Sequence, residues 1–230
     1  MAVLLRHLQL ACDQALGRGL PSPLDALRRA RFRADAPWSW CARCGGPHRA
    51  WICRCAPSVG APECVVRLGA HRGALRRWVI DIKHARWEPM AELLGEALAG
   101  QLRACGAMEQ GDRGAVVVPV PSPWLRARAR GIDHAGAIAG VVARGSGIRC
   151  VRALRQRLGG TQVDAEARSA RAGPRERFVA VGGARHCVAG MHVVLVDDVR
   201  TTGATLEACS RVLRRMGAGR VTAAVIAVRE

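Results

Sequence analysis

Residues 193–205 read Val-Val-Leu-Val-Asp-Asp-Val-Arg-Thr-Thr-Gly-Ala-Thr, and this stretch decides the fold. Its first four residues are apolar and do not alternate with polar ones, which is typical of a strand buried on both faces of a parallel sheet. Two aspartates come next, and a loop with three threonines and a glycine follows them. Ligands with anionic and hydroxyl groups are commonly held at such a junction, at the carboxyl edge of a parallel sheet.

The residues after this loop predict a helix and then a second strand. From Ala204 to Met216 the apolar residues fall on one helical stripe, and arginines occupy the last turns. Gly217 is a candidate C-cap, and Val221–Val228 has the composition of another buried strand. The unit strand–loop–helix–strand therefore predicts an α/β fold, in which helices flank a parallel sheet and the loop lies at the sheet's crest.

The loop has the residue types that hold a phosphate group. Backbone N–H groups at the start of a helix carry partial positive charge, and threonine hydroxyls add donors. Gly203 lets the backbone approach a ligand closely. Asp197 and Asp198 cannot bind phosphate, but they can accept hydrogen bonds from sugar hydroxyls or position a cation such as Mg²⁺. A solvated aspartate pair followed by threonine N-caps is the alternative interpretation.

This stretch resembles the motif that binds 5-phosphoribosyl-1-pyrophosphate (PRPP) in type I phosphoribosyltransferases, which is four apolar residues followed by D-D-x-x-T-T-G-x-T. The resemblance implies that Asp197 and Asp198 contact the ribose hydroxyls, with Mg²⁺ accompanying the PRPP. It also implies that the 5′-phosphate is bound by Thr201, Thr202, Gly203, Ala204 and Thr205. Two competing nucleotide motifs, G-x-x-x-x-G-K-[ST] and G-x-G-x-x-G after a strand, are missing from the sequence.

Four cysteines have spacings that suit a metal ion. They are Cys41 and Cys44, in a C-x₂-C-G turn, and then Cys53 and Cys55. Four thiolates can complete a tetrahedral zinc site, which would staple a module too small for a core of its own. The C-x-C spacing of the second pair is a poorer chelate, so Cys64 or His48 is a candidate substitute for one of its members. Reduced structural cysteines or a redox pair are the alternatives.

Basic residues in the middle of the chain are candidate contacts of a pyrophosphate group. Lys83 is the only lysine in an arginine-rich chain, which indicates either that a compact ammonium is required there or that this lysine has survived by chance. An apolar strand at residues 115–118 leads into Pro119-Val-Pro121 and a basic loop. The candidate anion contacts of that loop are Arg126, Arg128, Arg130 and Gly131. A basic surface loop is the alternative. The polar stretch before Phe178 predicts either a mobile lid or disorder.

In their order, these segments resemble the ComF family (competence protein F-like) over roughly residues 38–230. The family's R-G-[FY]-N-Q is replaced here by Arg130-Gly131-Ile132-Asp133-His134. The resemblance implies a type I phosphoribosyltransferase fold with a small N-terminal zinc-binding module. It also implies a link to DNA uptake in natural transformation.

These features divide the chain of 230 residues into three parts. We expect an amphipathic helical segment at 1–35, a cysteine-rich, zinc-ribbon-like module at 36–64, and a phosphoribosyltransferase-like domain at 65–230. No apolar run approaches the ~20 residues of a membrane span, and the first residues lack the apolar core of a signal peptide. We therefore expect a cytoplasmic protein whose cysteines are thiols or metal ligands.

The formal net charge of +18 has two interpretations. It predicts a polyanionic partner such as single-stranded DNA, or it reflects a GC-rich genome that enriches arginine. Two functions stay open as well. One is a phosphoribosyltransferase that moves the ribose 5-phosphate of PRPP to an acceptor and releases pyrophosphate. The other is a PRPP-binding protein that works with DNA-uptake or recombination proteins without turnover.

Overall fold

The computed structural model describes residues 23–47, 53, 55, 60–82, 88–122, 133–157 and 177–230. The chain forms two compact units, Met1–Phe32 and Arg33–Glu230. In the first unit, helix α1 spans Pro23–Arg29. All other described elements belong to the second unit. The three-part division expected from the sequence stays a prediction.

The second unit is built from short strands and helices that alternate along much of the chain. Its described strands are β1 (Cys64–Ala70), β2 (Ala115–Pro119), β3 (Arg149–Cys150), β4 (Leu154–Gln156), β5 (Phe178–Ala180), β6 (His192–Arg200) and β7 (Arg220–Val228). Its described helices are α2 (Gly73–Asp81), α3 (Glu88–Ala104), α4 (His134–Ser146), α5 (Arg185–Val188) and α6 (Ala204–Arg215). None of the helices described here is both long and apolar enough to span a bilayer.

Five of these strands form one sheet in the order β1-β7-β6-β2-β3, and all neighbouring strands are parallel. β6 is central, and its Val193 lies between Val116 of β2 and Val221 of β7. α4 packs on β2 and β6, while α6 packs on β6 and β7. A separate sheet pairs β4 with β5 in antiparallel orientation. The parallel sheet flanked by helices confirms the fold class that the sequence predicts.

The central strands are buried on both faces because their residues are apolar without interruption. Val193–Val196 of β6 are 0% exposed, and Val221–Val228 of β7 are all buried. α6 presents its apolar stripe to the same core. Met216 is the C-cap of this helix, and Gly217 takes the left-handed position that follows, with φ 92°. A glycine is favoured there because a side chain would be strained at that φ.

A small network of polar side chains lies at the amino edge of the sheet. His192 Nδ1 lies 3.0 Å from Arg220 Nη2, and His192 Nε2 lies 2.9 Å from the Thr222 hydroxyl. A guanidinium can only donate, so Nδ1 accepts and the neutral ring donates through Nε2. The Cys64 thiol also donates to Thr222, at 3.4 Å. Burial and the charge of Arg220 lower the pKa of His192 to about 4.

We expect the free energy of unfolding to decrease as the pH falls from about 6.5 to about 4. In this range the unfolded chain protonates His192 while the folded chain keeps it neutral. The nearby charges of Asp112 and Glu63 oppose the shift without cancelling it. The measurement is urea unfolding of the wild type and His192→Gln between about pH 7 and about pH 4. The stability difference between the two proteins should change with pH over this window, to the wild type's disadvantage at low pH. A constant difference would contradict this role of His192.

Candidate functional site

The two adjacent aspartates lie where β6 loses one of its two neighbours. β2 pairs with β6 as far as Val196, whereas β7 continues beside β6 as far as Arg200. Asp197 and Asp198 therefore lie within β6, which does not end before them as the sequence pattern suggested. Their position is beyond the carboxyl end of β2, where parallel sheets commonly bind ligands.

Both carboxylates are partly buried and are oriented by the backbone of the same strand. Asp197 Oδ1 accepts a hydrogen bond from the N–H of Asp198 at 2.9 Å, and Asp198 Oδ1 accepts one from the N–H of Val199 at 2.7 Å. Carboxylates held in this way offer acceptors to hydroxyl groups and oxygen ligands to a hard cation.

The loop after β6 is exposed at Thr201 and Thr202, and it leads into α6 through a glycine. Gly203 is the N-cap residue and has φ 88°, in the left-handed region. It has no side chain with which to cap the helix, so the first turn of α6 receives no such bond from its N-cap. The Thr202 hydroxyl accepts a hydrogen bond from the N–H of Ala204 at 3.4 Å. An open helix start with hydroxyl groups beside it is suited to an anion.

The guanidinium of Arg200 lies over this loop. Its Nη2 donates to the carbonyl of Thr202 at 3.4 Å, and a Cβ added to Gly203 would come within 2.9 Å of the same atom. Arg200 adds a positive charge to the loop. The sequence motif gives no sign of this role, because the position between the aspartates and the threonines is unrestricted in it.

We expect Gly203→Ala to lower the free energy of unfolding by about 1–2 kcal/mol, since alanine is strained at this φ and crowds the guanidinium. Gly182→Ala is the matched control, because a Cβ at Gly182 would meet nothing within 4 Å. Urea unfolding of the two variants measures the difference. If both substitutions changed the free energy of unfolding equally, the backbone at Gly203 would not require a glycine.

The loop borders two clefts. Thr202 and Gly203 help to line a cleft of about 370 Å³, together with Cys44, Cys55 and Arg200 among others. Thr201 helps to line a second cleft of about 540 Å³. The other residues of the second cleft are Ala70, His71, Arg72, Arg76, Arg229 and Glu230. The loop therefore borders one cleft that is lined partly by cysteines and another that is lined partly by arginines.

The four cysteines predicted as metal ligands come together in the structure. The sulfur atoms of Cys41, Cys44, Cys53 and Cys55 all lie within 4.8 Å of one another. Cys41 Sγ is 3.7 Å from Cys55 Sγ, and Cys44 Sγ is 3.4 Å from Cys53 Sγ. Sulfurs at the zinc–sulfur distance of about 2.3 Å around a tetrahedral ion are about 3.8 Å apart. The cluster could therefore hold a metal ion, and the residues present fit one.

Both members of the C-x-C pair belong to this cluster, so their spacing does not keep their sulfur atoms away from the other two. The N–H of Cys55 donates a hydrogen bond to Cys53 Sγ at 3.4 Å. Cys64 lies at the start of β1 and bonds to Thr222, outside the cluster. His48, the other candidate substitute, lies outside the described residues.

The C-x₂-C-G turn packs closely against the sheet. Gly45 has φ 68°, and a Cβ there would lie 2.8 Å from Val65 Cγ1. The N–H of Gly46 donates to Cys44 Sγ at 3.4 Å. Glycine is thus required at position 45 both by the turn and by the strand beneath it.

The sulfurs influence one another's protonation. Burial raises the pKa of Cys41, but hydrogen bonds from the backbone of Cys44 and Arg43 and from the thiol of Cys53 outweigh it and bring the value to about 6. Burial and the neighbouring sulfurs raise the pKa of Cys55 to about 12. A divalent cation would displace the remaining thiol protons, because metals bind the thiolate form.

The predicted pyrophosphate contacts lie outside the described residues. They are Lys83, Arg126, Arg128, Arg130 and Gly131. Most of the predicted lid, residues 158–176, lies outside them as well. Asp133, which follows the basic loop, is the N-cap of α4. It accepts a hydrogen bond from the N–H of Gly136 at 3.1 Å and forms an ion pair with Arg152.

Comparison with known proteins identifies a phosphoribosyl transferase domain at residues 137–230, which include the aspartates and the loop. A solved structure titled "Structure of the allosteric regulatory enzyme of purine biosynthesis" is similar, with 23% identity and a TM-score of 0.40. That similarity covers 60% of this chain and 26% of the other chain, so it spans about a quarter of the latter. No curated protein sequence matches significantly. The domain match, together with the parallel sheet, supports the phosphoribosyltransferase fold predicted from the sequence.

Proposed function

We propose that this protein binds PRPP with Mg²⁺ at the carboxyl end of β6. The observation that carries the proposal is the sequence D-D-x-x-T-T-G-x-T at the end of a buried central strand, inside the region that matches the phosphoribosyl transferase domain. The open helix start at Gly203 and the nearby charge of Arg200 support it, since both suit a phosphate group.

In this proposal the two ends of the motif bind different parts of one ligand. Asp197 and Asp198 accept hydrogen bonds from the ribose hydroxyls, and residues 201–205 bind the 5′-phosphate through N–H and hydroxyl groups. Mg²⁺, when bound, neutralises charge on the pyrophosphate. Aspartate oxygens are ligands that this cation prefers. The predicted contacts of the pyrophosphate remain Lys83 and the basic loop of Arg126, Arg128, Arg130 and Gly131.

Turnover would follow from the same arrangement. A nucleophilic atom of an acceptor forms a bond to C1 of the ribose while the bond from C1 to the pyrophosphate oxygen breaks. The electron pair leaves with the pyrophosphate. The protein's contribution is to hold the ribose still and to stabilise the leaving group. A PRPP-binding protein without turnover is the second form of the proposal, and it needs the same binding residues.

The experiment that tests the proposal is a calorimetric titration of PRPP into the purified protein, with and without Mg²⁺. We expect binding in the micromolar range that weakens when Mg²⁺ is omitted. Ribose 5-phosphate, which lacks the pyrophosphate, should bind more weakly. A folded protein that gives no heat with PRPP and Mg²⁺ would overturn the proposal. Release of pyrophosphate in the presence of candidate acceptors separates the enzyme from the binding protein.

We also propose that the cysteine cluster holds a structural zinc ion, because four closely spaced sulfurs favour zinc among the available divalent metals. We expect Cys41→Ser to lower the zinc content from about one ion per chain to well below that. Cys150→Ser is the matched control, since Cys150 is exposed and lies on β3. Mass spectrometry of the metal content decides the matter, and equal zinc in the two variants would contradict the assignment.

The net charge of +18 favours a second function, binding of single-stranded DNA, as the ComF resemblance implies for DNA uptake. Such a role fits a protein of the cytoplasm, a reducing compartment in which the free cysteines found here are stable. We expect affinity for single-stranded DNA that falls steeply with salt and persists in Asp197→Asn. If no affinity for single-stranded DNA is detected at low salt, the net charge reflects the arginine-rich composition alone.

A further inference from the structure

The cleft of about 540 Å³ beside Thr201 is lined by several arginines that do not belong to the proposed PRPP contacts. Arg72 is the N-cap residue of α2, Arg76 lies in the first turn of that helix, and Arg229 follows the last residue of β7. All three side chains are exposed. These residues come from separate segments and line a space that suits a small molecule.

Among the side chains that line this cleft, Glu230 is the acidic one, and it already pairs with an arginine that does not line the cleft. Its carboxylate lies 3.0 Å from the guanidinium of Arg67, which is 5% exposed and belongs to β1. Within the described part of the chain, neither Arg72, Arg76 nor Arg229 forms an ion pair with a carboxylate. The cleft therefore attracts anions.

The segments that carry these arginines are fixed to the sheet. The N–H of His71 donates to the Val228 carbonyl at 2.7 Å, and the N–H of Arg72 donates to the Ala70 carbonyl at 2.8 Å. The N–H of Arg229 donates to the Arg200 carbonyl at 2.8 Å, which also ties the cleft to the strand that carries the aspartates. Cations on a fixed backbone lose less entropy when they bind an anion.

We propose that this cleft binds the carboxylate or phosphate group of a ring-sized second substrate, the acceptor of the ribose 5-phosphate. This inference rests on the proposed function. Thr201 belongs both to the cleft and to the proposed phosphate loop, so a molecule in the cleft lies next to bound PRPP. The acceptor's nucleophilic nitrogen or oxygen bonds to C1, pyrophosphate leaves with the electron pair, and the acceptor's proton passes to solvent. Guanidinium groups suit either anion because they can donate two parallel hydrogen bonds.

The test uses three small aromatic probes in protein already saturated with PRPP and Mg²⁺: benzoate, phenylphosphonate and the neutral benzamide. We expect at least one anion to bind about tenfold or more tightly than benzamide, and the better anion identifies the group that the acceptor carries. Arg72→Gln/Arg76→Gln should weaken that binding by about tenfold or more. The matched control is Arg77→Gln. Arg77 is exposed on the same helix but does not line the cleft, so its loss should change the affinity by less than about twofold.

Titration of PRPP into each protein beforehand separates the two proposals. If PRPP binds but no anion does, or if Arg77→Gln weakens anion binding as much as the double variant, the cleft inference is overturned and the proposed function stands. If PRPP fails to bind, the proposed function fails and the acceptor role falls with it. Binding of oligothymidylate that needs Arg72 and Arg76, without binding of the small anions, would also overturn the inference, by assigning the cleft to a nucleic-acid surface.

Discussion

Replacing both aspartates, Asp197→Asn/Asp198→Asn, is expected to weaken the binding of PRPP and Mg²⁺ by about 100-fold or more. Each amide removes a negative charge from the proposed cation site and presents a donor where, in the proposed complex, a ribose hydroxyl needs an acceptor. Losses of about 1.5 kcal/mol at each position account for a change of this size. The effect on the fold should be small, since an amide oxygen can still accept the bonds from the N–H groups of Asp198 and Val199.

Calorimetric titration of PRPP measures this effect, and urea unfolding checks that the double variant is folded. Asp112→Asn is the matched control. The Asp112 carboxylate also accepts a hydrogen bond from a nearby N–H, that of Gly114 at 2.8 Å, but it precedes β2 at the other edge of the sheet. If the double variant and the wild type bind PRPP with the same affinity, the aspartates do not belong to the binding site.

Arg67→Met is expected to lower the free energy of unfolding by about 3–5 kcal/mol, the range for removing one partner of a buried ion pair. Arg67 lies in the middle of β1 and is 5% exposed. Its guanidinium binds the Gly45 carbonyl at 2.7 Å, Asp35 at 2.7 Å and Glu230 at 3.0 Å, and it lies 5.7 Å from the ring centre of Trp40. Methionine fills part of the space, but it leaves all three oxygen partners without this donor.

Urea unfolding followed by tryptophan fluorescence gives the free energy of the variant. Arg67→Lys is the informative companion, because lysine keeps the charge but cannot donate in the forked geometry of a guanidinium. We expect lysine to recover part of the loss. A cost below about 1 kcal/mol for methionine would show that the interior tolerates the exchange of this charge for an apolar side chain.

The sequence predicted best those features that depend on neighbouring residues. The apolar run of Val193–Val196 indicated a strand buried on both faces, and the stripe after Gly203 indicated a helix, because burial leaves a local period in the chain. The continuation of β6 to Arg200 could not be predicted in this way, since it depends on the length of β7 beside it. Pairing between strands is a property of the tertiary structure.

Apart from Arg200, the residues that the sequence did not reveal have partners that are distant along the chain. Arg67 interrupts an apolar strand, and nothing near it in the sequence reveals that residues 35, 45 and 230 supply its acceptors. The arginines of the second cleft come from two ends of the domain and meet only in the folded protein. Residue spacing alone could not show whether the C-x-C pair reaches the other two sulfur atoms, because that depends on the path of the folded backbone.

β7 continues beside β6 after β2 has ended, so the carboxyl end of β6 has a paired strand on one side and, among the described residues, none on the other. The strand that carries the aspartates is paired with β7 along this segment, and its own backbone N–H groups hold both carboxylates, so the fold itself sets their positions. In the proposed complex, the ribose hydroxyls therefore bind to carboxylates that are already in position, and little of the entropy lost on binding comes from this strand.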